Sequence, residues 1–558
     1  MSLDKRDLEK VHVELPKLVD QLKEGKLDRR DFLRTSTLLG LTASAAYALA
    51  GLPEPVQEAQ AATMGGTVRI SMRVIKIENP PIYDYVYDSN IARQVCDYLT
   101  RTGSDNVTRP SLLEKWQASD DLKTWTLTVK KGIKWSNGDE LNADHVVWNL
   151  TRWLDEKVGS SIIGLFKGFL VVDYDTGQKD AAGKAKMGTK LYSDKAIEKV
   201  DEYTIRLNGQ TAQLAIPENL FHYPAVILHP KDNGVLGVGS IGTGAFTLTE
   251  FELGKKAVLK RRDGYWGKAA ALDEVQFIDN GDDPAAAIAA LASGQVDGMM
   301  EASTSQYAAL QKIPNVVIHQ VTTGQTGVAR MQEDKEIFKD PRIRKAMRLA
   351  IDCRKVLQIA HLGLGAPAEH HHVAPVHPEY YKLAFMKQNI AEAKKLLAEA
   401  GKPDGFDCEI FCKKDPDWEA IAVGSMVNMW KQIGVNVKMN VLPSAQYWDH
   451  WMVEPLAFTN WTHRPLGVMV LDLAYRTGVP WNESHYSNPK LDDLLTKADA
   501  TLDVEKRRQV MKDIEELMQE EGPIVQPLWR AVFTGMNKKV KGFKMHPTSY
   551  LFAEEWSL

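Results

Sequence analysis

Two alternating periodicities constrain this chain along most of its length. Runs of period two recur at Thr67-Val68-Arg69-Ile70-Ser71-Met72, at residues 124–129 (TWTLTV), at Thr204-Ile205-Arg206-Leu207, at Ala245-Phe246-Thr247-Leu248 and at Ala257-Val258-Leu259-Lys260. Successive side chains on an extended backbone point to opposite faces, so each run reads as a strand with one buried side. Between them, apolar residues recur at helical spacing over 285–291, 343–351 and 390–400. The last pattern stops at Gly401, a residue suited to the left-handed conformation that ends a helix. Strands alternating with helices predict an α/β protein. At about 100–200 residues per domain, the 558 residues allow two to four domains. Residues 363–378, rich in His, Pro and Ala, read as a long ordered loop.

The first 61 residues follow other rules. A polar, charged stretch ends in Asp28-Arg29-Arg30-Asp31-Phe32-Leu33-Arg34, and residues 35–52 (TSTLLGLTASAAYALAGL) are weakly apolar. Pro53, Pro55 and a small-x-small site at Ala59-Gln60-Ala61 come next. This is the tripartite layout of a secretory signal, and the arginine pair before Phe-Leu resembles the twin-arginine signal read by a translocon that exports folded proteins. The expectation is cleavage near Ala61 and a mature chain of 62–558 in the periplasm. No cysteine stands beside that site, so a lipoprotein anchor is not expected. The competing reading is an N-terminal amphipathic helix with a small-residue hairpin.

Composition removes several functions. With 69 basic and 73 acidic residues well mixed, no basic stripe exists to displace the counterions of a nucleic acid. The four cysteines (Cys96, Cys353, Cys408, Cys412) are too few for a disulfide scaffold. Cys408 and Cys412 share one face of a strand, about 13 Å apart at strand rise, too far to bridge. No P-loop, HExxH helix or G-x-S-x-G elbow is present, so neither an ATPase nor a hydrolase is expected and no cofactor is implied.

Ordered motifs in the body are more specific. Trp116-Gln117-Ala118-Ser119-Asp120-Asp121, the strand at 124–129, Lys131-Gly132-Ile133-Lys134-Trp135-Ser136-Asn137-Gly138 and Asn142-Ala143-Asp144-His145-Val146 form a first block. Gly242-Thr243-Gly244-Ala245-Phe246, Arg261-Arg262-Asp263-Gly264-Tyr265-Trp266 and Ser293-Gly294-Gln295-Val296-Asp297 form a second. Asp340-Pro341-Arg342-Ile343-Arg344-Lys345-Ala346 and residues 393–401 (AKKLLAEAG) complete the order. This order resembles the family-5 extracellular solute-binding proteins of ABC transporters, the dipeptide, oligopeptide and nickel binders. The resemblance implies a two-lobed periplasmic-binding-protein fold of type II, α/β in each lobe. Lobe I would comprise 62–325 and 525–558, with an extra subdomain within about 100–230, and lobe II 326–524. Hinge crossings would lie near 320–331 and 524–529. It also implies membrane permease partners, ATPase subunits acting through them, a small-molecule or short-peptide ligand, and a monomer without enzymatic activity.

Asn460-Trp461-Thr462-His463-Arg464-Pro465 carries the departure that matters most. In dipeptide-binding relatives an Asp in this stretch pairs with the peptide ammonium; the corresponding slot here holds Arg464. A guanidinium offers a planar fork to a carboxylate or phosphate and repels an ammonium. Arg464 would then face an anionic solute, unless it pairs internally with Asp472 or Glu483. Trp461 and His463 flank it, and Arg476, Trp481 and Asn482 follow in a loop dense in aromatic and hydrogen-bonding groups. On the other lobe Arg73 and Tyr83 are candidates, and Lys414, beside Lys413, is the candidate base at a strand end. Glu369-His370-His371-His372 is the one cluster with metal chemistry; on extended backbone only His370 and His372 share a side. A metal or metal-chelate binder of the same fold, a periplasmic enzyme using that cluster, and a receptor feeding a sensor remain as rivals.

The leader reading has a direct test. Changing both Arg29 and Arg30 to Lys is expected to abolish delivery to the periplasm, measured by fractionation; normal delivery of the double-Lys chain would exclude a twin-arginine route.

Overall fold

A computed structural model describes residues 5–53, 63–179 and 185–558. Its framework is one sheet of twelve strands. In chain order these are β1 (Thr67–Ser71), β2 (Phe246–Glu252), β3 (Lys256–Arg261), β4 (Glu274–Ile278), β5 (Gly298–Met299) and β6 (Val316–Met331). They continue as β7 (Gly365–Pro367), β8 (Phe406–Lys413), β9 (Val435–Leu442), β10 (Leu456–Trp461), β11 (Ile524–Val525) and β12 (Leu528–Asn537). Across the sheet the order is β2-β3-β4-β1-β5-β12-β6-β10-β8-β9, with β7 beside β12 and β11 beside β6.

Two parallel units sit on either side of a crossing. β1 runs parallel to β4 and β5, and β8 runs parallel to β9 and β10. Parallel neighbours need long crossovers, here supplied by helices such as Pro284–Ala292 and Asp417–Trp430. β6 and β12 join the two units as antiparallel partners, Val316 opposite Asn537 and Thr326 opposite Trp529. Their register shifts between Thr322 and Gln325. There the Thr323 hydroxyl donates to the Arg530 carbonyl at 2.7 Å, and the Gly324 amide donates to Nδ1 of His463 at 3.0 Å. The bulge is thus fastened to β12 and to the segment just after β10.

Each unit has its own packing. Ala329, Ile410, Trp418, Trp430, Val435 and Phe458 centre one core; Val68, Ile70, Leu259 and Phe277 belong to another. A separate four-stranded sheet spans 113–208, with Trp125, Leu127 and Val129 buried on one face in the alternation expected from the sequence. The helices over 341–349 and 390–399 start where the sequence puts them: Asp340 accepts from the Arg342 amide with Pro341 in the first turn, and Asn389 accepts from Glu392. Asp273 and Asp297 tie distant segments to the first strand, accepting from the amides of Gly66 and Arg69. All four cysteines are free thiols.

The N-terminal segment was expected to stand outside the fold, yet residues 5–53 pack on it as four helices, Lys5–Val11, Leu15–Lys23, Arg29–Leu38 and Ala43–Leu49. Leu15, Phe32, Leu39 and Ala46 are fully buried. The spacing of these apolar residues gives the segment a coherent buried face, which a leader's apolar region shares with any core helix. The expected cleavage site at Ala59–Ala61 lies outside the described residues. Among the described residues no helix is long and apolar enough to cross a membrane.

One glycine pins β7 to the crossing strand. Gly365 has φ +130°, and a Cβ there would lie 2.0 Å from the Trp529 carbonyl oxygen. Gly365→Ala is expected to lose about 1–3 kcal/mol of stability from strained backbone, read in urea melts. Gly424, in the middle of the Asp417–Trp430 helix with nothing within 4 Å of its missing Cβ, is the control. Gly424→Ala should gain about 0.5–1 kcal/mol from helix propensity.

Candidate functional site

A cavity of about 620 Å³ opens between the two units of the sheet. One wall is the segment after β1, with Arg73, Tyr83, Asp84, Tyr85 and Tyr87; the other is the end of β8, with Lys413 and Asp415, and the helix Ser444–His450 after β9, with Ser444 and Trp448. A small recess continues from Asp84 and Trp448 to Trp451, Trp461, Trp481, Tyr223 and Arg464. On the opposite flank a second recess reaches Glu301 and Asp282 past Arg73 and Asp415.

The tryptophans stand where they do because of one carboxylate. Glu483 accepts from Trp461 Nε1 and Trp451 Nε1, each at 2.7 Å, and from the Thr459 hydroxyl. Arg330 of β6 completes the cluster, its Nε 3.3 Å from Glu483, with both side chains buried. The Arg330 guanidinium also donates to the carbonyls of Glu454 and Trp451. Burial pushes the Glu483 carboxyl up and Arg330 opposes the push. Trp481 then packs edge-on to Trp461 and Trp451, with centroids 5.8 and 6.1 Å away.

Arg464 lies at the end of the recess, 4% exposed. Its Nη1 donates to the carbonyls of Thr462 at 3.2 Å and His463 at 3.1 Å and to the Thr462 hydroxyl; Nε is buried without a partner. The guanidinium carbon sits 5.3 Å from the Tyr223 ring centroid. No carboxylate lies within 4 Å of it among the described residues. The internal partners the sequence offered are engaged elsewhere: Glu483 with Arg330, and Asp472 with Arg476 at 2.6 Å. His222, next to Tyr223, is held neutral because burial and the Arg464 charge both lower its pKa. A buried cation whose acceptors are all neutral leaves an anion unsupplied.

Several expected site residues have other tasks. Arg476 is not in the cleft: it is locked between Asp472 and Asp499, the latter at 2.9 Å. Asn482 shapes its own loop by donating to the carbonyls of Arg476 and Tyr486. His463 faces the crossing strands, its Nε2 3.0 Å from Asn106 Oδ1, and does not line the recess. Lys414 is exposed; period two turns Lys413 inward instead, to Glu419 at 3.2 Å and over the Tyr85 and Trp448 rings. Arg73 and Tyr83 do line the cavity, Arg73 bound to Asp279 and Asp282 and Tyr83 donating to the Ile77 carbonyl at 2.6 Å.

The histidine cluster is not extended. His370 and His372 have φ of 63° and 62°, which turns each ring separately into the core. His370 Nδ1 accepts from the Gln526 amide at 2.9 Å, and His372 Nδ1 meets the Tyr475 hydroxyl at 2.6 Å. Burial lowers both pKa values, that of His370 to about 3. Among the described residues no group of three His, Cys, Asp or Glu is placed to hold a metal ion.

Residues that sequence reasoning missed complete the charge pattern. Asp84 and Asp415 face the cavity with no cation within 4 Å among the described residues. Burial raises each to about 6, with Lys413 opposing the rise at Asp84 and Arg73 opposing it at Asp415. The Tyr83–Tyr87 segment had drawn attention to its rings and not to the acid between them.

A sheet in two units, joined by two long strands and opening on a cleft of aromatic and unpaired charged groups, defines a two-lobed solute-binding protein. This chain belongs to the bacterial extracellular solute-binding proteins, family 5, whose middle-region model matches residues 108–469. It is similar to the dipeptide-binding protein DppE of Bacillus subtilis, 25% identical over 550 residues, 92% of this chain and 97% of that protein. It is also similar to the periplasmic oligopeptide-binding protein OppA of Salmonella typhimurium, 24% identical over 531 residues, 90% of this chain and 93% of the relative. Among solved structures, the periplasmic binding protein AgaA of A. tumefaciens R10 in complex with agropinic acid superposes with a TM-score of 0.77 at 21% identity, covering 88% of this chain and 99% of that one. NikA of Staphylococcus aureus in complex with Ni(L-His)2 superposes at 0.74 and 17% identity, with 88% and 99% covered.

The raised acids give the site a pH signature. The folded chain holds protons on Asp84 and Asp415 that the unfolded chain releases near pH 4, so the contribution of these two acids to stability falls as pH rises from about 4 to 6 and is flat above. Denaturant melts across that window should show a negative slope, and the Asp84→Asn/Asp415→Asn double variant should reduce it, the remainder coming from other buried acids such as Glu419.

Proposed function

We propose that this chain is the periplasmic substrate-binding component of an ABC importer and captures a small solute bearing an anionic group. Family membership supports the class. Two relatives are by name dipeptide- and oligopeptide-binding proteins, and a third is a heme-binding protein, so the class alone does not choose the cargo. The observation that carries the choice is Arg464, a buried guanidinium at the end of the recess with no carboxylate partner. A carboxylate or phosphate of the solute fits it, and the tryptophans held by Glu483 cover an apolar part of the same molecule. Capture proceeds by closure of lobe I (62–325 and 525–558) on lobe II (326–524), with β6 and β11–β12 as the hinge. The closed monomer then docks on the permease, and the ATPase subunits supply the energy. Residues 1–61 act as a twin-arginine leader, read from the pair Arg29-Arg30, both exposed.

Mass spectrometry of small molecules released by denaturing the natively purified chain identifies the solute, and titrations with that compound test the role of Arg464. Arg464→Ala should cost about 2–5 kcal/mol of affinity, chiefly by faster release. Arg464→Lys keeps the charge without the fork and should recover part of it. Arg464→Asp should reject the anion and admit solutes with a free ammonium. Unchanged affinity in all three, with only lowered melting temperatures, would remove Arg464 from the site and the anionic solute with it.

A further inference from the structure

The N-terminal helices touch both lobes. On the lobe I side, the Leu38 carbonyl accepts from Trp116 Nε1 at 3.0 Å, and the Tyr47 hydroxyl donates to Asp105 Oδ2 at 2.7 Å. Gly40, at φ +92°, passes so close to Trp116 that a Cβ would lie 2.8 Å from its carbonyl oxygen. On the lobe II side, Asp31 pairs with Arg508, and Arg34 Nη1 donates to the Val376 carbonyl at 3.1 Å. The joint between the two sets is dry: Asp31 is 3% and Arg34 6% exposed, and Phe32 is fully buried.

We infer that residues 5–49 are an intramolecular strap, docked on a face built from both lobes, which holds the cleft closed for as long as it stays attached. The inference rests on the lobe-closure reading above. A segment that binds two bodies in only one relative orientation stabilises that orientation by the difference in its affinity for the two states. Opening the lobes separates Trp116 and Asp105 from Val376 and Arg508, so one set of anchors must break first. The Asp31–Arg508 pair is the costly one to break, because Asp31 is buried and loses its cation, whereas Arg508 is partly exposed and keeps Glu505. The strap leaves Arg29 and Arg30 exposed while it buries Phe32 and Leu33. An export apparatus can therefore meet the arginines on the docked chain but must peel the helix to reach the apolar residues. Removal of the segment frees the hinge, so the chain exchanges solute readily only afterwards.

The test uses the full chain without added solute. Asp31→Arg and Arg508→Asp each break the pair, and the double exchange restores it with reversed sign. Hydrogen exchange over 29–49 reports docking, and solution scattering reports opening. Each single variant should speed exchange in 29–38 at least tenfold and raise the radius of gyration, and the double variant should return both toward the parent. Tyr47→Phe, a milder change on the other anchor, should speed exchange in 43–49. Unchanged exchange in the single variants would overturn docking through this pair. Faster exchange with an unchanged radius would overturn the strap's hold on the cleft, as would a double variant that restores neither. The closure reading is separable: a protease site inserted between residues 54 and 62 lets the strap be released, and the compound identified by mass spectrometry should then shrink the radius. No shrinkage with that compound bound would fail the hinge, not the strap.

Discussion

The buried contact between Arg330 and Glu483 organises the rest of the binding region. Arg330 belongs to β6, the long strand that crosses between the lobes, and Glu483 to a loop that follows β10. Through it the crossing strand, the Thr459 hydroxyl and the indoles of Trp451 and Trp461 share one centre. Two ions in a dry interior are unfavourable unless their remaining hydrogen-bonding capacity is met. Here it is met by two indoles, a hydroxyl and two backbone carbonyls, which ties the aromatic wall of the recess to the hinge.

That arrangement explains why Arg464 is left without a carboxylate. Each nearby acid is already engaged, Glu483 with Arg330 and Asp472 with Arg476, while His377 Nε2 donates to the Arg464 carbonyl 3.1 Å away and fixes its backbone. The cleft is therefore polar in an ordered way, with a free cation at the end of its aromatic recess and the free acids Asp84 and Asp415 in the wider cavity. The dense burial around Arg464 makes the charge count more there than at the open mouth, since a low local dielectric strengthens every pairing.

Much of the architecture was legible in the chain. Period-two runs at 67–72, 124–129 and 204–207 became strands, and the helical patterns at 343–351 and 390–400 became helices capped by Asp340 and Asn389. These are local effects, set by φ/ψ preferences and by which face of a short element is apolar. Trp461, Arg464 and Trp481 come together in the recess, whereas Arg476 and Asn482, a few positions away, serve the loop itself. Sequence density of polar groups marks a structured loop but does not tell which side chains face the solute.

What the sequence by itself determined is the class: an α/β chain of solute-binding type with an arginine, Arg464, shortly after Trp461. Only the tertiary structure decided that this arginine stays unpaired, because that depends on which residue each distant acid reaches first. It alone turned Lys413 inward in place of Lys414, since a strand end has one buried face and packing selects it. It also turned the three histidines into separate core contacts, His370 and His372 at left-handed φ, which no spacing rule encodes. And it laid the N-terminal helices across both lobes, because an amphipathic face carries no record of the surface it will cover.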